Sequence, residues 1–213
     1  QKFHRAEPSD SAAFRTSLCV NLLYILINLL SWYWNRSWWF VVLAAYYVIM
    51  ALLWSLLLQY VRKHTADGNS IWEWKRARSS AYILLLINLS LSGAVLMILY
   101  QSKGYHYPGI MIYVMALYTF YSTIHAIIDI IKKQKTSTPI RCAAQVISLS
   151  AALVSMLNLE TAMFAQFGAD MSMKSQRIFI ILTGAGVSIT VVTLSVILIV
   201  NANKEIRRIK NGE

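Results

Sequence analysis

Six apolar runs, at roughly 15–34, 37–61, 79–101, 108–131, 139–159 and 177–201, constrain this chain more than any other feature. Crossing a hydrocarbon core of about 30 Å takes about 20 helical residues, because each residue adds about 1.5 Å. All six runs reach that length. Lipid offers the backbone no hydrogen-bond partner, so runs of this kind must pair their amides internally as helices. The expected fold is therefore all-α, a polytopic membrane protein of six transmembrane helices. Composition agrees, with 57% hydrophobic and 14% charged residues in 213, against about 25% charged in an ordinary soluble domain.

The basic residues are not spread evenly between the runs. Lys2, Arg5, Arg15, Arg62, Lys63, Lys75, Arg76, Arg78, Lys132, Lys133, Lys135, Arg141, Lys204, Arg207, Arg208 and Lys210 fall in alternate segments. Only Arg36, Lys103, Lys174 and Arg177 fall in the others. Positively charged loops stay on the cytoplasmic side, so the bias predicts an even number of spans with both termini cytoplasmic. The net charge of +11 is then a matter of topology, and nucleic acid is not an expected partner. Three segments follow: a cytoplasmic N-terminal stretch at 1–14, a six-helix transmembrane domain at 15–201 and a basic tail at 202–213. The tail is too short to bury a core. The first run has no small-residue cleavage site and ends in SWYWNRSWW, which suits a mature helix better than a signal peptide. Trp32, Trp34, Trp38 and Trp39 around the first outer turn, and Tyr100, Tyr105 and Tyr107 around the second, occupy aromatic-belt positions. The expected location is a plasma membrane of bacterial type.

Enzyme chemistry finds little support. The chain holds no Gly-x-Ser-x-Gly, no phosphate-cradling glycine loop and no His-Glu-x-x-His, the motifs that would supply a nucleophile, a phosphate site or a zinc. Cys19 and Cys142 are too few for a disulfide framework or a zinc knuckle. Neither a catalytic residue nor a cofactor is expected. The stretch TGAGVS at 183–188 reads as a surface for close helix packing.

Polar residues inside the runs carry the remaining signal, because they are costly in hydrocarbon and tend to be functional. Asn21 and Asn28 are seven apart and share a stripe of the first helix; Asn88 lies in the third, and Gln145 and Ser148 in the fifth. As interhelical hydrogen-bond glue each contributes about 0.6–2 kcal/mol. Asn158, Glu160, Gln166 and Asp170 lie at the outer end of the fifth helix or beyond it. In YSTIHAIIDIIKKQK, His125 and Asp129 are four apart, hence on one helical face. Asp129 lies about 4–5 Å and His125 about 10 Å inside Lys132, counted along the helix axis. A structural hydrogen bond, a proton or cation relay and a metal site are the three readings. Zinc takes three or four ligands, and His125 is the only histidine in the six runs, so a bond or a proton suits the pair better than a metal.

The six-span layout, with a tight first hairpin and a basic inner loop after the second span, resembles the membrane domain of cation diffusion facilitators. TADGNSIWEWKRARSS keeps Ala66-Asp67, an aromatic at Trp72, then Arg76-Ala77 and Ser79 in the order of that family's inner loop, with Arg78 in place of a Glu. STPIRCAAQVISLSA keeps Ser137 and Arg141 at the start of the fifth span. The resemblance implies a dimeric bundle that moves a cation. Its four metal-ligand positions fall on Tyr46, Met50, Val146 and Ser150, none of which suits a hard or borderline dication, so the metal role is not carried over. The family's cytoplasmic C-terminal domain has no counterpart in these residues.

Two function classes follow. One is a transporter-like membrane protein moving a small solute or ion along a polar path between helices one, three, four and five, coupled to protons through His125 and Asp129. Such a path calls for a polar cavity joining Asn21, Asn28, Asn88, Gln145, Ser148 and His125. The other is a non-transporting scaffold or partner subunit with a degenerate transporter fold. In both, the expected partners are the lipid bilayer and a second copy of the chain.

Overall fold

The computed structural model describes residues 8–35, 38–63, 70–100, 109–131, 139–168 and 171–211. The described residues form six helices: α1 (Pro8–Asn35), α2 (Trp38–Lys63), α3 (Ser70–Tyr100), α4 (Gly109–Ile131), α5 (Pro139–Phe167) and α6 (Met173–Asn211). Five of them, α1, α2, α4, α5 and α6, are long and apolar enough among the described residues to cross a membrane.

The helices overrun the apolar runs for local reasons. Proline opens α5 at Pro139, where its missing N–H costs nothing and its fixed φ already suits the helix. The same helix stops before Gly168, whose carbonyl accepts from the Met171 amide at 3.1 Å and from the Gln176 side chain. A Cβ on Gly168 would come within 2.6 Å of the Gln176 amide, so this close turn favours the smallest residue. α6 continues past its apolar part because Asn201–Asn211 contains neither glycine nor proline, and because Ala202 and Ile206, one turn apart, stay buried. Its 39 residues span about 58 Å, well beyond a hydrocarbon core of about 30 Å.

α1 packs along α2, α3 along α6 and α4 along α5. Neighbours run antiparallel, as side-chain bonds between Arg78 and Asn203 and between Asn88 and Ser188 require of α3 and α6. α2 and α5 form the centre. In their spans 56% and 67% of the residues are buried, against 33%, 28% and 22% for α1, α6 and α4. Along α2, Phe40, Leu43, Tyr47, Met50, Trp54 and Leu57 are buried at three–four spacing, which lines up one seam toward its neighbours, and Leu53 is buried beside it. α5 answers with small residues, Ala143, Ala144, Ser148, Ser150, Ala151, Ala152 and Ser155, which let helices approach closely. The faces of α4 and α6 turned outward are apolar, with Tyr113, Leu117, Phe120, Leu182 and Ile189 among the most exposed side chains. Trp32 is also exposed; the side chains of Trp34, Trp38, Trp39, Tyr100, Tyr105 and Tyr107 lie outside the described residues, as do Lys132, Lys133 and Asp170.

Leu57 sits in the seam and Leu182 on the outward face. Leu57→Ala is expected to cost about 2–5 kcal/mol, and Leu182→Ala less than about 0.5 kcal/mol. Unfolding of both variants in the same detergent checks this; equal losses would show that the outward face is packed.

Candidate functional site

α1 and α4 lean toward one another at the end of the bundle where α1, α3 and α5 begin, and leave a cleft between them. Ser17, Val20 and Asn21 of α1, Trp54 of α2, Tyr118, Tyr121, Ser122 and His125 of α4, and Ser148 and Ala151 of α5 line it. Its cavity measures about 30 Å³ and opens on one side. A water needs about 10–15 Å³ measured in this way, so the cleft has room for about two waters or one small ion. Eight of its ten lining residues carry a polar side-chain atom, so solvent there would find hydrogen-bond partners.

The helical spacing does bring His125 and Asp129 together. His125 Nδ1 stands 3.0 Å from Asp129 Oδ2, and both side chains are about three-quarters covered. α5 holds the second member of the pair from two directions. Ser148 Oγ donates to Asp129 Oδ2 at 3.4 Å, and Gln145 Nε2 donates to the Asp129 backbone carbonyl at 2.7 Å. That carbonyl belongs to the last turn of α4, where the helix supplies no N–H to it. Gln145 is therefore a cap delivered by a neighbouring helix and does not line the cleft.

A cluster of tyrosines closes the cleft toward the middle of the bundle. Tyr118 stacks on Tyr24 with ring centroids 3.9 Å apart, and Tyr47 meets both rings edge-on at 4.7 and 5.6 Å. Tyr118 also donates its hydroxyl to Asn21 Oδ1 at 2.9 Å, while Asn21 Nδ2 bonds the Ser17 carbonyl. Beyond the stack, Asn158 donates to the Tyr24 hydroxyl, and Asn28 turns back to the Tyr24 carbonyl at 2.8 Å. Asn158 Oδ1 is buried without a hydrogen-bond partner among the described residues. A polar line thus runs from His125 and Asp129 past Asn21 and Tyr118 to Tyr24 and Asn158, interrupted by stacked rings.

Asn21, His125 and Ser148 share the cleft, and Asp129 touches two of its lining residues, His125 and Ser148. Asn28 lies on the far side of the tyrosine stack. Asn88 is elsewhere: it bonds Ser188 Oγ at 2.9 Å on the seam between α3 and α6, where Ser92 joins the same hydroxyl. α3 contributes no lining residue, and α2 contributes Trp54. Toward the C-terminal end of α5, Glu160 accepts from Thr183 Oγ1 at 3.0 Å and Gln166 is exposed. Sequence reasoning missed Tyr24, Tyr47 and Tyr118. Their signal was present, because Tyr24 lies between Asn21 and Asn28 on α1, but buried tyrosines are indistinguishable from belt tyrosines until their depth is known.

Tyr46 and Ser150 also meet, Tyr46 donating its hydroxyl to the Ser150 carbonyl at 3.4 Å. Met50 beside them is fully buried. No group of three His, Cys, Asp or Glu side chains able to hold a metal occurs among the described residues. No known protein family, no curated protein and no solved structure matches this chain.

If the tyrosine stack separates the cleft from Asn28, Asn28→Cys in a Cys19→Ser/Cys142→Ser background is expected to resist a water-soluble maleimide. Adding Tyr118→Ala is expected to make it reactive. Tyr118→Phe, which removes only the bond to Asn21, is expected to leave it protected and to cost about 0.6–1.7 kcal/mol of stability.

Proposed function

We propose that this chain is a six-span, transporter-like membrane protein with both termini cytoplasmic, and that it moves a small cation or solute through the α1–α4 cleft in exchange for protons. The observation that carries the reading is the His125–Asp129 pair at the edge of a polar, water-sized cleft. Ionisable side chains within a span are costly and usually face a pathway. With the imidazole neutral and the carboxylate ionised, the pair carries one negative charge and favours a cation in the cleft. A proton taken up by the imidazole cancels that charge, so proton and cation compete for the same place. Span order and the inner-loop residues similar to those of cation diffusion facilitators support the same class, and that resemblance implies a dimer.

A specific observation favours a second reading. The positions that the resemblance assigns to metal ligands are occupied by a tyrosine bonded to a backbone carbonyl and by a fully buried methionine. Packing of that kind suits a scaffold or partner subunit that carries nothing.

Reconstituted vesicles separate the two. Transport predicts that a panel of monovalent and divalent cations includes one whose flux depends on a proton gradient, and that His125→Ala and Asp129→Asn each reduce it to the rate of protein-free vesicles. No flux for any cation, together with no effect of His125→Ala, selects the scaffold.

A further inference from the structure

The end of the bundle where α3 begins and α6 ends is strongly basic, independently of the cleft. α3 carries Lys75, Arg76 and Arg78 there, and α6 carries Lys204, Arg207, Arg208 and Lys210. The antiparallel register set by Arg78 Nη1 donating to Asn203 Oδ1 at 2.8 Å places Lys75 and Arg76 alongside the turn that contains Lys204 and Arg207. Among the described residues of α3 and α6, two carboxylates stand against these charges. Glu73 is half-buried, and Glu205 is engaged by Arg208 at 3.4 Å. Lys75, Lys204, Arg207 and Lys210 are exposed.

Depth identifies the occupant. Lys204 and Arg207 stand about 6 and 10 Å beyond Val200, where the continuous apolar stretch of α6 ends, by the helical rise. Lys75 and Arg76 stand about 7–9 Å outside Ala81, where the apolar part of α3 begins. The headgroup layer of a bilayer extends about 5–8 Å beyond its hydrocarbon core, so these residues stand at its outer part, within reach of lipid phosphates on their long flexible stems. Trp72, 58% exposed, is about one turn further out, with the Lys75 ammonium 5.0 Å from its ring centroid. Buried Ala202 and Ile206 hold the α6 extension against the bundle, so its charges are presented as a fixed ridge and not as a free tail.

We propose that Lys75 and Arg76 of α3 with Lys204 and Arg207 of α6 form a binding site for the headgroups of anionic lipids. Ammonium and guanidinium groups bond the phosphate oxygens, and the net positive charge selects headgroups with no compensating cation. The site rests on the helices meeting a bilayer and not on the transport reading.

Native mass spectrometry of the full chain released from neutral detergent tests this, with phosphatidylglycerol and phosphatidylcholine titrated separately. Wild type is expected to retain phosphatidylglycerol more tightly than phosphatidylcholine. Each basic residue removed is expected to weaken phosphatidylglycerol about fivefold, so Lys75→Gln/Arg76→Gln and Lys204→Gln/Arg207→Gln should each lose most of the preference. Lys174→Gln, at the opposite end, should keep it. Raising salt on the wild type should reduce phosphatidylglycerol retention and leave phosphatidylcholine unchanged, which tests the site even if a variant fails to fold. Equal retention of the two lipids, ridge variants that match Lys174→Gln, or displacement of phosphatidylglycerol by millimolar inorganic phosphate would each overturn the proposal.

Discussion

Hydrocarbon supplies no hydrogen bonds, and the interior of this bundle is organised around that constraint. Several buried hydroxyls, those of Ser31, Ser80, Ser150 and Thr161, bond the carbonyl one turn back on their own helix, and so add no demand on neighbours. Amide side chains have more valences than one helix can meet. Asn21, Asn88, Gln145 and Asn158 therefore reach across to α4, α6, α4 and α1. Each contact adds little alone, but together they set which helix faces which. α5 is the most buried of the five candidate spans and carries the largest share of small and polar residues, because it must satisfy both sides at once.

Much of the architecture was legible in the sequence. Each of the six apolar runs lies within one helix or within a residue of its end, since an uninterrupted run of that length between polar turns has no other stable form. Helix ends were less legible. α5 and α6 continue for several residues into polar sequence, because no glycine or proline stops them and because neighbours cover one face. Hydropathy sees neither cause. The expected orientation rests on the bias of basic residues between alternate segments, a property of insertion into a bilayer that the packing of helices does not report.

The candidate site divides in the same way. His125 and Asp129 were readable because the contact lies within one helix, where spacing alone determines which side chains meet. Contacts between helices depend on rotation about each axis, which periodicity leaves open. Asn88 is as buried and as polar as Asn21, yet it faces α6 and not the cleft. The tyrosine stack was hidden for a related reason: it joins α1, α2 and α4, which are far apart in sequence and individually unremarkable at those positions.

The His125–Asp129 contact within α4 differs in kind from every contact that α5 makes with it. Its two members are fixed by four residues of a single helix, so any tilt or shift of α4 carries both along unchanged. The bonds from Ser148 and Gln145 have no such protection and lengthen with the first relative movement. α4 is also the least buried candidate span, and α1 holds it at the cleft through side chains alone. Its charge chemistry is thus portable, whereas the partners that this chemistry meets depend on where the helix stands.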